Sequence, residues 1–129
     1  MKKFFISIFF LFSLSANAIE KETTFKKDLF DKAQSEGKIV VISSWIKYCT
    51  SCASQMKILQ NAKNKGELLD IKFDNIEYFS FDVTKKEISN LFDVQYQTTL
   101  IIFKDNQEVY RSIGETTEDL IYEALKASI

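Results

Sequence analysis

The segment Lys38-Ile-Val-Val-Ile-Ser-Ser-Trp45-Ile-Lys-Tyr-Cys49-Thr-Ser-Cys52 joins an apolar run to the only two cysteines of the chain. Within it, Ile39–Ser44 is apolar and β-branched without strict alternation, which is typical of a central strand covered on both faces. A helical pattern follows the cysteines to about Lys65. The sequence therefore places a dithiol where a buried strand gives way to a helix.

The spacing of Cys49 and Cys52 predicts a disulfide that can open again. Residues three apart on a helix have Cβ atoms about 5–6 Å apart, whereas a relaxed disulfide needs about 3.5–4.5 Å, so the first cysteine must lie at the irregular start of the helix. Free N–H groups and the helix dipole there favour a thiolate by about 1 kcal/mol. We therefore predict that Cys49 is the partly exposed nucleophile and Cys52 the nearly buried resolving thiol.

Two other uses of the cysteine pair stay open at this point. A purely structural disulfide would close a very short loop and remove little entropy from the unfolded chain, which makes stability a weak reason for the spacing. A thiolate pair could also bind a soft metal such as Cu(I). Against this, the chain has no histidine, and Met56 is the only thioether after residue 18. We expect no resident metal and no cofactor.

The first 18 residues have the pattern of a secretory signal peptide. Met1-Lys-Lys3 is basic, Phe4–Leu14 is apolar, and Ala16-Asn-Ala18 supplies small residues for cleavage after Ala18. The apolar run is about a dozen residues long, and a membrane span needs about 20. We expect residues 1–18 to be removed and residues 19–129 to form one domain.

The charge balance does not indicate a polyanionic binding partner. The leading segment holds two of the 17 basic residues and none of the 18 acidic ones, which leaves 15 basic and 18 acidic residues, a net charge of 15 − 18 = −3. This mildly acidic composition does not favour nucleic acid or an anionic membrane surface. We expect no nucleic-acid partner and a monomer.

Periodicity predicts an α-β-α-β-α-β-β-α order. The predicted elements after the leading segment are helix Thr24–Glu36, strand Ile39–Ser44, a helix from the cysteines to Lys65, strand Ile76–Val83, helix Lys85–Phe92, strands Leu100–Phe103 and Glu108–Ile113 as a hairpin, and a last helix. Helices between strands imply parallel crossovers, and the hairpin adds an antiparallel edge. The predicted fold class is α/β, with a mixed sheet of about four strands between two layers of about four helices in total.

The same periodicity predicts which side chains point inwards. We expect Leu29, Leu91 and Leu120 on the inner faces of their helices, and Gln55 away from the apolar stripe of the helix that follows the cysteines. Thr116 is expected to cap the last helix.

Several segments match a known family. They are Trp45-Ile-Lys-Tyr48-Cys49-Thr-Ser-Cys52, Lys32-Ala33 with Gly37-Lys38, Phe81-Asp-Val-Thr84, and Thr99-Leu-Ile-Ile-Phe103 followed by Gly114. On these residues the chain resembles the thioredoxin superfamily, and most of all the C-terminal thioredoxin-like domain of the bacterial transmembrane thiol:disulfide interchange protein and its small exported relatives. The resemblance covers essentially all of residues 19–129.

The resemblance implies a thiol:disulfide oxidoreductase that acts on protein disulfides. Cys49 would attack, Cys52 would resolve, and Trp45 and Tyr48 would shape the surface around them. Core and rim packing is an equal alternative for these two aromatic residues. The resemblance also implies a membrane-embedded electron donor and a location in the periplasm of a Gram-negative bacterium.

The chain departs from the family pattern at the dithiol. Thr98 stands where the family has a cis-proline, Ser43 stands where many members bury an acid, and the intervening residues Thr50 and Ser51 are uncharged. A cis bond before a residue other than proline costs about 2.5–4 kcal/mol. We therefore predict a trans Gln97-Thr98 bond, with the Thr98 hydroxyl near the sulfurs.

The absence of histidine bears on the direction of electron flow. Strong disulfide donors in the superfamily stabilise the attacking thiolate with a histidine between the cysteines, and a less stabilised thiolate makes a less oxidising disulfide. We expect a reductant or electron relay rather than an oxidase. The alternatives are a dithiolate Cu(I)-binding module and a redox-inactive thioredoxin-fold interaction protein.

Overall fold

The computed structural model describes residues 21–129 except Glu67, so the predicted signal peptide lies outside the described residues. The elements are α1 Lys27–Ser35, β1 Ile39–Trp45, α2 Thr50–Asn64, a 3-10 turn Phe73–Asn75, β2 Ile76–Asp82, α3 Lys86–Leu91, β3 Thr99–Lys104, β4 Gln107–Ile113 and α4 Glu118–Ser128. Their order is the predicted one.

The four strands form one mixed sheet in the order β2-β1-β3-β4. β1 pairs parallel with β2 and antiparallel with β3, and β3 pairs antiparallel with β4 as a hairpin. Ile39–Ser44 therefore lies mid-sheet, as its unbroken apolar pattern predicts, because a strand with neighbours on both sides and helices on both faces meets no solvent.

Alternating residues of β1 point into two separate cores. Val41 joins the core under α2 and α4, which includes Leu59 and Leu125. Val40 and Ile42 join the opposite core beneath α1, which is rich in phenylalanine rings. This period of two, covered on each face, produces the predicted three-layer α/β fold.

The chain ahead of α1 follows the edge of β2 instead of forming helix. The N–H groups of Thr24 and Phe25 donate to the Ser80 carbonyl at 2.9 and 3.2 Å, and the Ser80 N–H donates to Thr24 Oγ1 at 3.0 Å. The predicted helix start at Thr24 is therefore wrong, because these bonds hold the segment extended and α1 begins only at Lys27.

The three leucines predicted to face inwards are exposed. Leu29 is 43% exposed, and Leu91 and Leu120 are each 48% exposed. In α3 the inward position is taken by Ser89, whose hydroxyl donates to the Val83 carbonyl at 2.6 Å, and in α4 by Ile121, one residue later than expected. A helix turns about 100° per residue, so an error of one position moves a side chain to the flank.

The start of α4 also differs from the prediction. Thr117, not Thr116, is the N-cap residue, and its side chain makes no capping bond. Instead, the Thr117 N–H donates to the Glu115 carboxylate at 2.8 Å, so an acid outside the helix satisfies one donor at its start. None of the helices in the described part of the chain is long and apolar enough to cross a membrane.

Candidate active site

Cys49 and Cys52 are joined by a disulfide at the start of α2. Cys49 is the N-cap residue, with an extended backbone, and the Cys52 N–H donates to Cys49 Sγ at 3.1 Å. The Cα atoms are 5.3 Å apart, within the ordinary range for a disulfide. Cys49 is half-buried and Cys52 is 1% exposed, which confirms the predicted difference in accessibility.

Two hydroxyl groups surround the sulfurs. Thr98 Oγ1 lies 3.1 Å from Cys52 Sγ and 3.5 Å from Cys49 Sγ. Ser51 Oγ lies 2.9 Å from Thr98 Oγ1 and 3.3 Å from Cys49 Sγ. The predicted position of the Thr98 hydroxyl is therefore correct, and the two sulfurs and two hydroxyls form one contiguous polar cluster.

Thr98 occupies an unusual backbone conformation. No cis peptide bond occurs among the described residues, so the Gln97-Thr98 bond is trans as predicted. Thr98 has a φ of 60°, in the left-handed region that a β-branched residue rarely adopts and that costs about 1–3 kcal/mol. Its N–H donates to the Ser44 carbonyl at 2.9 Å, and its carbonyl accepts from the Gly114 N–H at 2.9 Å. These bonds hold the residue in place beside the sulfurs.

Gln55 supports the same loop from α2. Its side-chain amide donates to the Thr98 carbonyl at 3.4 Å and to the Glu115 carbonyl at 3.0 Å. Gln55 is 1% exposed, so its predicted place away from the apolar stripe is wrong. The sequence does contain a sign of this burial. Gln55 lies three residues after the buried Cys52, so the two side chains share one face of the helix.

Three other predicted site residues, Trp45, Tyr48 and Thr50, flank Cys49 in the sequence. Trp45 is half-buried, and its indole N–H donates to the Glu22 carbonyl at 3.3 Å. Tyr48 is 89% exposed with a φ of 63°, and Lys47 Nζ lies 5.1 Å from the centre of its ring. Thr50 is an exposed residue in the first turn of α2.

Ser43, at the position where related proteins often bury an acid, is fully buried. Its hydroxyl is hydrogen-bonded to the phenol of Tyr78. Burial raises the pKa of Tyr78 to about 12, so this pair is neutral at physiological pH. No group of three or more His, Cys, Asp or Glu side chains in the described part of the chain is arranged to hold a metal ion.

Comparisons with known proteins agree with this geometry. The thioredoxin family model matches residues 18–127. A thioredoxin H-type of Fagopyrum esculentum is 27% identical over 94 residues, which cover 72% of this chain and 75% of that protein. Thioredoxin H5 of Oryza sativa subsp. japonica is 30% identical over 91 residues, which cover 70% of this chain and 62% of that protein.

Solved structures give the same result. The crystal structure of Trxlp from Edwardsiella tarda EIB202 aligns with a TM-score of 0.68 and 26% identity, covering 78% of this chain and 94% of that one. A thioredoxin of Malassezia sympodialis aligns with a TM-score of 0.65 at 18% identity, covering 80% and 85%. The chain therefore belongs to the thioredoxin family, and with its Cys49–Cys52 disulfide it is a thiol:disulfide oxidoreductase.

Proposed function

We propose that this chain is an exported reductant or electron relay for protein disulfides. The observation that carries the direction is the set of neutral groups around Cys49 Sγ, which consists of the Cys52 N–H and the hydroxyls of Ser51 and Thr98. The chain has no histidine to add a positive charge there. Neutral hydrogen bonds stabilise a thiolate less than charged ones do, and a less stabilised thiolate belongs to a less oxidising disulfide.

The reaction uses two successive exchanges. The Cys49 thiolate attacks one sulfur of a substrate disulfide, the substrate S–S bond breaks, and one substrate thiolate leaves. Cys52, as thiolate, then attacks Cys49 Sγ and breaks the mixed disulfide, so the second substrate thiolate leaves. The substrate gains two electrons, and the Cys49–Cys52 disulfide forms again.

The oxidised protein must be reduced before another cycle. The resemblance to the C-terminal domain of the transmembrane interchange protein supports a membrane-embedded electron donor. The pattern of residues 1–18 supports export to the periplasm of a Gram-negative bacterium, where this donor would face the protein. We propose that residues 19–129 act there as a monomer.

The direction is tested by the reduction potential of the purified residues 19–129. We expect a value below about −200 mV, nearer to cytosolic reductants than to the strong oxidant at about −120 mV. Wild type should reduce the disulfides of insulin, and Cys49→Ser should not. A potential above about −150 mV would reverse the proposed direction.

The partners and the location need a separate experiment in the exporting cell. Cys52→Ser cannot complete the second exchange, so it should accumulate mixed disulfides at Cys49 that identify both substrate and donor by mass spectrometry. A matched Cys49→Ser, Cys52→Ser variant controls for non-covalent capture. An N-terminus still at Met1, or the protein's absence from the periplasmic fraction, would contradict export.

A further inference from the structure

Cys52 has a proton-transfer problem that the exchange chemistry does not solve by itself. Its thiol must lose a proton to attack the mixed disulfide and must regain one when the disulfide opens, yet it is 1% exposed. Ser43 stands where the family resemblance would put an acid, and its hydroxyl is already bonded to Tyr78. Another route for the proton is needed.

We propose that the hydroxyls of Thr98 and Ser51 form a proton path between Cys52 and the protein surface. Thr98 Oγ1 lies 3.1 Å from Cys52 Sγ and 2.9 Å from Ser51 Oγ. Ser51 is half-buried, at the boundary with solvent, and its oxygen lies 3.3 Å from Cys49 Sγ. A hydroxyl donates one hydrogen bond while accepting others, so each can pass on a proton as it receives one.

The step balances without a further reactant, and it rests on the thiol:disulfide exchange proposed above. The Cys52 proton moves to Thr98 Oγ1 while the hydroxyl proton of Thr98 moves to Ser51, and that of Ser51 moves to water or to the leaving thiolate. The freed electron pair on Cys52 Sγ forms the bond to Cys49 Sγ, and the bond from Cys49 to the substrate sulfur breaks. Both hydroxyls end unchanged in composition, and disulfide opening runs the path backwards.

The backbone of Thr98 supports this role independently. A left-handed φ of 60° suits glycine or asparagine, whereas a β-branched residue is strained there. The strained threonine is nevertheless 2% exposed and places its hydroxyl on the buried sulfur. The other residues hydrogen-bonded to Thr98, which are Ser44, Gln55 and Gly114, carry no titratable group, so the thiols are the groups whose protons it can move.

Thr98→Val tests the path, because valine keeps the shape and removes the hydroxyl. Reduced protein is mixed with glutathione disulfide, quenched with acid after milliseconds to seconds, and weighed by mass spectrometry to follow the glutathione mixed disulfide at Cys49. Near neutral pH we expect the mixed disulfide to last about tenfold longer in Thr98→Val, the order expected for one lost hydrogen bond to a charged group. Thr98→Ser should stay within about threefold of wild type.

The pH profile separates proton transfer from a structural effect. Hydroxide can take up the proton without the path, so the ratio of the Thr98→Val lifetime to the wild-type lifetime should fall as the pH rises. Thr99→Val is the matched control, because it also removes a buried hydroxyl, one that donates to the Tyr96 carbonyl at 2.7 Å. This control should leave the lifetime unchanged at every pH.

Two results would overturn the proposal. One is an unchanged lifetime in Thr98→Val, and the other is a lifetime that is longer by the same factor at every pH. If Thr98→Val does not fold, Ser51→Ala, in the first turn of α2, gives the decision. A lengthening of the lifetime that shrinks as the pH rises supports the path, and an unchanged lifetime or a constant lengthening refutes it. Glutathione disulfide needs neither export nor a protein substrate, so a failed insulin assay would not affect this measurement.

Discussion

Two residues with left-handed backbone conformations lie on either side of the dithiol. Their φ angles are almost equal, but their exposure and their contacts differ. Tyr48, just before Cys49, has a φ of 63° and is 89% exposed, whereas Thr98, facing the disulfide, has a φ of 60° and is 2% exposed. The Thr98 N–H donates to the Ser44 carbonyl and its carbonyl accepts from the Gly114 N–H, while the Tyr48 ring lies near Lys47 Nζ. The same strained backbone conformation is thus buried and hydrogen-bonded at Thr98, whereas it lies at the surface at Tyr48.

Thr98→Pro should have the largest effect on this comparison. Proline fixes φ near −65° and has no N–H, so it fits neither the left-handed backbone nor the bond to the Ser44 carbonyl. We expect the free energy of unfolding of the oxidised protein to fall by about 3 kcal/mol or more. Urea denaturation measures this, with Thr98→Ser as the control. Wild-type stability in Thr98→Pro would mean that the loop readily adopts the family's proline geometry.

Gln55→Leu should have an intermediate effect, because it removes the support for the Thr98 loop without touching Thr98. The Glu115 carbonyl would lose the Gln55 amide as its donor, while the Thr98 carbonyl would keep the Gly114 N–H. Leaving such groups unpaired costs about 1–3 kcal/mol of unfolding free energy. Gln60→Leu makes the same chemical change on a more exposed part of α2 and should cost less than about 0.5 kcal/mol. Equal losses in the two variants would refute the supporting role of Gln55.

A single substitution made at both left-handed positions gives the smallest and most direct contrast. Asparagine tolerates this conformation, so Tyr48→Asn should raise the unfolding free energy by about 0.5 kcal/mol. Thr98→Asn receives the same backbone relief but alters a buried, hydrogen-bonded side chain, and it should lower the free energy by about 1–2 kcal/mol. Paired urea denaturation curves decide, and changes of the same sign would remove the distinction between the two positions.

The sequence predicts the elements and the dithiol well because those depend on local patterns. The apolar run of β1 and the cysteine spacing are sufficient to place Cys49 at the N-cap of α2, with Cys52 buried. The spacing from Cys52 indicates that Gln55 is buried, but its hydrogen bonds depend on carbonyls that only the folded chain brings to it. The left-handed backbone of Thr98 runs against the intrinsic preference of threonine, so no local rule predicts it.

The extended segment ahead of α1 defines how far the domain can be trimmed at its N-terminal side. Glu22 and Thr24 are hydrogen-bonded to Ser80 along the outer edge of β2. The Glu22 carbonyl also accepts a hydrogen bond from the Trp45 indole N–H. Proteolysis ahead of residue 21 would leave this cover in place. Cutting at residue 26 instead would expose the backbone of the edge strand β2, the kind of surface that templates aggregation. It would also remove the Glu22 carbonyl to which the Trp45 indole N–H donates.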